Sequence, residues 1–537
     1  MKYGFFGKYS AFLLSFAVII YLFASVLTGC GGGGGGESGG GVTTPTPSTT
    51  PGLDPGTKYY WQVEACSSSG DVTTGPQWSF TTSSKSRALL SGELSQDDAS
   101  VIAENFIAQD QNRKAVGELT KDTGRRSLKT GSLFTLKSKD NKGSLAYIFD
   151  LSPAGYVVVP CSNLLPPVLA YSYTSDFQRE ESSQNVLLYM IRRDISLRLK
   201  AISDKKMDKH LLSENRIRRS DLLGSKNSNS REGSIWGPLF RCGTWSQEEP
   251  YNALCPMDPE TGKRTVVGCV ATSLAQHLNY WQQPVSVSLY SSDSYTTATR
   301  QISIDAPSAG FSSLNYNGGN PSNEARQSLG YACGVLVKMD YTSDESGASV
   351  KTSYQVLKDR LGYSASTIET YYSVPFSSTG LINGIKSGVP AIISINDEEM
   401  TMGHALNADG FDEANSTFHL SFGWNGRSDG WYILPNGLPE GYSVVTNVIL
   451  NAYPDGTNPV PSPTLSPSPS PTGAPAAPEN PYPAEGSSNI PVDSYLYWFN
   501  SSGADHYNIY IWKAGENKPS QPAASNLEQP HYNPSGQ

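Results

Sequence analysis

The chain has 537 residues, which argues for three or four units of about 150 residues rather than one core. Hydrophobic residues make up 37% and aromatics 10%, enough for folded cores, so global disorder is excluded. Forty basic against 49 acidic residues leave a net charge of −9, and this balance argues against a nucleic-acid partner for the chain as a whole. Gly and Pro together reach about 16% of the sequence, above the ~12% of an average protein, and the excess falls in linkers.

Lys2 and Lys8 precede an apolar run from Ala11 to Leu27 that ends in Leu27-Thr28-Gly29-Cys30. A basic start, a short apolar core and small residues ahead of a cut describe an export signal over 1–29. Leu-Thr-Gly-Cys resembles the bacterial lipobox, which implies lipidation of Cys30 and attachment to the membrane through that lipid. A retained membrane anchor is the alternative for an apolar stretch of this length. The Gly run from Gly31 and the Thr/Pro run after it make 30–51 a tether without the means to fold. The expected location is export, with lipid anchoring at the cell envelope or surface.

Six further cysteines remain: Cys66, Cys161, Cys242, Cys255, Cys269 and Cys333. An even number in an exported protein permits disulfides, though the density is far below that of a cysteine-stapled scaffold. There is no CxxC pair and no HExxH, so no metal and no other cofactor is expected.

In chain order, 52–84 reads as short strands, with alternation over Tyr59–Val63 and again at Trp78–Thr81. The unit 86–204 mixes structure: a helix near Asp98–Ala108, strands at Leu145–Phe149, Tyr156–Val159 and Val168–Tyr171, and a second helix. That helix carries Leu187, Ile191, Ile195, Leu199 and Ile202 as an amphipathic stripe. From Ile191 to Arg231 there are 12 Lys/Arg against 5 Asp/Glu, and 205–232 reads as a basic hinge open to processing, or as a solvated helix face with a linker. The stretch 233–454 is rich in aromatics, Gly and short apolar runs. A Pro/Ser linker follows at 455–481, and strand signals return in 482–537, at Tyr495–Trp498 and Tyr507–Trp512.

The chemistry lies in 233–454. Gly268-Cys269 opens a helix whose Val270, Leu274, Leu278 and Trp281 share one face. A cysteine at a helix N-terminus has its thiolate, the nucleophilic form, stabilised by the helix dipole. A thiolate nucleophile needs an imidazole partner. His277 lies eight residues on, about 12 Å along the same helix, and does not reach. His404 and His419, both on expected strands after the apolar run Ala391–Ile395, remain, and spacing does not choose between them.

Four ordered blocks carry a resemblance: Gln247-Glu248-Glu249-Pro250-Tyr251-Asn252; Gly268-Cys269-Val270-Ala271-Thr272 with Ala275-Gln276; Gly403-His404-Ala405 with Asp409-Gly410; and Gly423-Trp424-Asn425-Gly426 with Ser428-Asp429-Gly430. Together they resemble the streptopain family of secreted bacterial cysteine peptidases. The resemblance implies an α+β fold: a papain-like peptidase domain with an α+β propeptide. It also implies Cys269 as nucleophile, His404 as base, and Gln247 with the Cys269 N–H as oxyanion donors. Segment 86–204 is similar to the family's propeptide, through Leu145–Asp150, Gly155–Val159 and Pro167–Ser172. The protein is then a zymogen, acting as an endopeptidase on proteins or peptides, with its own propeptide as inhibitor.

One block departs from the family. Where relatives carry Asn-Trp-Gly-Trp-Gly-Gly, this chain has Ser421-Phe422-Gly423-Trp424-Asn425-Gly426. The position expected to orient the histidine is Ser421, shorter than Asn; Asn425 could supply an amide instead, and Trp424 keeps the family's second Trp. Two other functions stay open on this reading: a catalytically weakened surface-binding protein, and a cysteine amidase acting on cell-wall peptides. The flanks 52–84 and 482–537 resemble the second and first halves of a fibronectin type III module, an all-β sandwich. Either they are two incomplete modules of a longer sequence, or the N-terminal strands complete the C-terminal sheet, within one chain or between two.

Overall fold

Alternation at the N-terminal end becomes β1 (Lys58–Cys66), which buries Tyr59, Trp61, Val63 and Ala65 and leaves Tyr60, Gln62 and Glu64 partly exposed. β2 (Val72–Thr74) and β3 (Trp78–Thr82) pair with it antiparallel. The computed structural model describes residues from Leu53 to Pro534 except 83–93, 117–127, 181–184, 225–232, 241–243, 397–402, 460–473, 528–530 and a few isolated positions. The export signal, Cys30 and its tether, Cys242 and most of the Pro/Ser linker lie outside the described residues.

The next unit comprises α1 (Gln96–Val116), β4 (Lys129–Lys137), β5 (Ser144–Ser152), β6 (Tyr156–Pro160), β7 (Ala170–Ser172) and α2 (Val186–Ser203). Its strands are covered on both faces. Tyr147, Phe149, Leu151, Val157 and Val159 face α1, where Ile102, Ala103 and Phe106 meet them. Ala146, Ile148, Tyr156 and Val158 share the opposite core with Leu187, Ile191 and Ile195 of α2. Two-sided burial explains why these strands read as near-continuous apolar runs. β4 escaped the sequence reading because it is mostly exposed and shows no apolar alternation. α2 starts at Asn185, whose side-chain oxygen accepts from the Leu188 amide at 3.2 Å and whose Nδ2 donates to the carbonyls of Gln178 and Glu180.

The expected basic hinge is corrected over much of its length. Residues Lys209–Gly224 form a helix, α3, with Ile217 and Leu222 buried. The cations there are not all solvated: the buried Arg219 donates to the carbonyls of Ser162, Leu165 and Pro166 at 3.1–3.3 Å.

Beyond β8 (Ile235–Trp236), the chain builds a helical half and a sheet half. α4 (Cys269–Trp281), a short ribbon of β9 (Tyr295–Thr296) and β10 (Ser303–Ile304), α5 (Asn323–Leu336) and α6 (Val350–Arg360) form the first. α4 is buried almost all round because it is the axis of this half's core, where Leu274 and Leu278 meet Leu329, Val335 and Leu357. The sheet half holds β11 (Thr367–Thr370), α7 (Thr379–Lys386), β12 (Ala391–Asn396), β13 (Gly403–Asp412), β14 (Thr417–Ser421), β15 (Gly430–Tyr432) and β16 (Val445–Leu450). This is an α+β arrangement, with the N-terminus of α4 where the two halves meet.

One sheet spans two units, in the order β11-β16-β12-β13-β14-β15-β7-β6-β5-β4, with β8 attached to β13. The seam is β15 with β7, where Trp431 faces Tyr171 and Tyr432 faces Ala170. Across it the buried hydroxyls of Tyr156 and Tyr432 hydrogen bond, and Arg198, paired with Asp194 at 2.7 Å, donates to the Ile433 carbonyl.

The C-terminal strands β17 (Ser487–Ile490), β18 (Leu496–Tyr497), β19 (His506–Lys513), β20 (Ala524–Leu527) and β21 (His531–Tyr532) join the N-terminal ones. The sheet order is β17-β3-β1-β19-β20, and β18–β21 packs over it through Leu496 and Trp498. Of the two expectations for the flanks, the structure has the ends pairing within one chain. The permitted disulfides do not form among the described cysteines: no two of Cys66, Cys161, Cys255, Cys269 and Cys333 are joined to each other.

Asn185→Ala removes a cap and two side-chain donors at once. It is expected to lower unfolding stability by about 1–2 kcal/mol in urea titrations, with the circular dichroism of the native state unchanged.

Candidate active site

Gly268 sits at φ 89°, and a Cβ there would lie 2.6 Å from Met339 Sδ, so only glycine lets the chain turn into α4 at this point. Cys269 is therefore the first helical residue, with its thiol at the positive end of the helix dipole. Its side chain is only partly exposed. Burial pushes the thiol up; the Ala405 and Val270 amides act against burial by favouring thiolate, while Glu345 adds to it.

His404 lies on β13, opposite Ile395 of β12, and is 4% exposed. Its Nε2 is 2.9 Å from the Phe422 carbonyl. A carbonyl only accepts, so Nε2 carries the proton and Nδ1 keeps a free lone pair. Phe422 and Trp424 lie parallel to the imidazole, at 6.0 and 6.1 Å between ring centres. Burial pulls His404 down to about 4, with the Phe422 carbonyl acting weakly the other way.

Cys269, His404, Gln247 and Trp424 line one pocket. The Gln247 side-chain nitrogen and the Trp424 indole nitrogen are both buried there without an acceptor in the protein. Buried N–H donors are seldom left so, and both belong to residues that line the pocket with Cys269. Val186 and Tyr189, from the N-terminal turn of α2, line the same pocket.

Ser421 and Asn425 are placed elsewhere. Ser421 Oγ accepts from Gln276 Nε2 at 3.0 Å and points its hydroxyl to Asp429. Asn425, at φ 56°, accepts from the Thr244 hydroxyl through its side chain and donates its amide to the Trp245 carbonyl. It thereby ties the loop after β14 to the segment carrying Gln247. Neither side chain bonds His404, whose partner is the Phe422 carbonyl instead. His419 lies one strand over, with Nδ1 2.6 Å from Asp409 and its ring against Trp431. His277 is fully buried on the Ala452 carbonyl.

Asp429 is the residue the sequence reading passed over. Its carboxylate accepts from the Phe422 amide at 2.8 Å and from Ser421, and so holds the peptide whose carbonyl holds His404. Burial pushes Asp429 up to about 6; the Phe422 amide and His419 act against this, and Asp409 adds to it. The Ser428-Asp429-Gly430 block marked the position, but a backbone carbonyl as histidine partner leaves no side-chain signature.

With this geometry in view, the comparisons with known proteins fall into place. Residues 245–432 match the model of the peptidase C10 family, and residues 91–193 match that of the Spi protease inhibitor. The stretch 245–432, which holds Gln247, Cys269, His404 and Trp424, is thus similar to the peptidase C10 family. The chain is a cysteine peptidase with an inhibitor-like segment ahead of the peptidase stretch. Streptopain of Streptococcus pyogenes is 26% identical over 335 residues, 56% of this chain and 77% of that protein. The thiol protease/hemagglutinin PrtT of Porphyromonas gingivalis is 23% identical over 406 residues, 70% of this chain and 44% of that protein. A solved fragment of Prevotella intermedia prointerpain A shares 21% identity at a TM-score of 0.46, covering 60% of this chain and 99% of that one. Among the described residues no cluster of His, Cys, Asp or Glu could hold a metal ion, and no helix is long and apolar enough to cross a membrane.

The buried His277 and His404 are both pulled down by burial to about 4, against about 6.5 in an unfolded chain. The unfolded state binds more protons between those values, so their contribution to stability is complete above ~6.5 and lost as pH falls toward ~4. Asp429, raised to about 6, works with the opposite sign over ~4 to ~6. In histidine Cε1–H spectra of the full chain, His277 and His404 are expected to hold their neutral shifts from pH 7 to 5. Midpoints near 6.5 would contradict this account of the pocket.

Proposed function

We propose that the chain is a zymogen of an exported cysteine endopeptidase, held by its lipid at Cys30, that hydrolyses peptide bonds with Cys269 and His404. The convergence of a helix-terminal thiol, a buried imidazole and an unpaired Gln247 donor on one pocket carries this reading. His404 Nδ1 takes the thiol proton, and the thiolate attacks the scissile carbonyl carbon. The negative charge passing to the carbonyl oxygen is received by the Gln247 Nε2–H and the Cys269 N–H. His404 then gives its proton to the leaving amine, and water hydrolyses the acyl-enzyme by the same route. Trp424 shields the imidazole, and the Phe422 carbonyl, held by Asp429, takes the orienting role that an Asn side chain has in relatives.

Inhibition follows from the same pocket. With Val186 and Tyr189 against it, burial favours neutral thiol and neutral imidazole together, the unreactive pair. Withdrawal of α2 would admit water and substrate and let the ion pair form.

Labelling by an epoxide inhibitor of cysteine peptidases is expected at Cys269 in the matured protein, read by peptide mass spectrometry. Cys269→Ala and His404→Ala should each abolish hydrolysis, because nucleophile and base act as one unit. Normal hydrolysis by the Cys269→Ala protein would overturn the assignment. Gln247→Ala should lower kcat by about 10²–10³-fold with little change in KM.

A further inference from the structure

The two ends of the described chain meet in one β unit. β1 pairs with β19 over eight residue pairs, from Tyr59 opposite Lys513 to Cys66 opposite His506, and β3 runs parallel to β17. Neither end encloses a core alone. β1 and β3 supply Trp61, Val63 and Phe80; β17 to β19 and the stretch between them supply Ile490, Trp498, Tyr507 and Ile509, and α3 adds one residue, Ile217. The Trp61 and Trp498 rings lie 6.2 Å apart at its centre. Polar groups repeat the pairing at the margins: the Ser79 amide and hydroxyl donate to Glu485, the Ser68 amide to Asp505, and Lys513 pairs with Asp54. No disulfide joins Cys66 to another of the described cysteines. In sequence, the inhibitor-like segment and the peptidase both lie between the two strand sets.

We infer that the C-terminal strands are a docking site whose partner is this chain's own 53–82 segment, and that the resulting clamp outlives cleavage. Cuts on either side of 94–224 would release the inhibitor-like segment while the peptidase stays fastened, without a covalent bond, to the N-terminal segment. The cuts rest on the zymogen reading above; the strand pairing does not. The clamp would keep a matured enzyme wherever its N-terminal segment is held, with the inhibitor gone.

The test uses the full chain carrying Cys269→Ala, so that no self-cleavage intervenes, with one recognition site for a sequence-specific protease inserted within 83–93. After the cut, the N-terminal fragment is expected to co-elute with the remainder on native size exclusion at the mass of the uncut monomer, and to separate only in denaturant. Trp498→Ala empties the place where Trp61 rests and should weaken retention by about a hundredfold or more. A fragment that leaves the unsubstituted remainder, or one retained equally after Trp498→Ala, would overturn the clamp. Dimers that grow with concentration and exchange strands between copies would overturn its intrachain form. Hydrolysis is not read at any stage, so either outcome leaves the peptidase assignment where its own tests put it.

Discussion

Everything catalytic in this protein hangs on how α4 lies against β13. Asn407, fully buried on β13, donates through Nδ2 to the Ser273 carbonyl and to Gln276 Oε1, both on α4. Gln276 passes the connection to Ser421 on β14. Polar groups sealed into an apolar contact accept one alignment and penalise others, because a slip would strand them without partners. The alignment matters because side chains alternate along a strand: moving β13 by one residue would turn His404 to the other face of the sheet. The same network that fixes the helix to the sheet therefore fixes the distance between thiol and imidazole. Ser421, lost as an orienting side chain, is retained as a member of that network.

The pocket also shows two electrostatic effects in opposition. The helix terminus and nearby amides favour a thiolate at Cys269, whereas burial favours the thiol. In the form with α2 in place, burial wins, and the imidazole is held neutral for the same reason. Val186 and Tyr189, the residues of the inhibitor-like segment that line this pocket, are not ionic side chains.

Much of the site was legible in the sequence because its parts are local. Gly268-Cys269 and a 13-residue apolar periodicity specify a helix and what stands at its start. The strands holding His404 and His419 follow from their apolar runs, but only the fold decides which histidine faces the pocket: β13 turns His404 toward α4, and β14 gives His419 to Asp409. The charged composition of α3 allows either a hinge or a solvated helix face, and its buried contacts come from distant carbonyls that no window of sequence contains. The histidine's backbone partner was hidden for a related reason, since carbonyls are the same at every residue. The pairing of the chain ends was open as one of two alternatives; half a sandwich on each side cannot say whether its complement is present.

The seam between β7 and β15 bears on how the peptidase would behave by itself. Once β7 departs, β15 becomes the last strand of the sheet, and its outward amides and carbonyls lose their partners. Unpaired strand borders invite other chains to add on, and long flat ones are the usual start of aggregation. β15 has only three residues, Gly430–Tyr432, followed by irregular chain over Ile433, Leu434 and Pro435 and a turn at Asn436 and Gly437. So short a border offers little for a foreign strand to grip. Were the inhibitor-like segment to leave, the sheet would end on the piece least able to recruit a replacement.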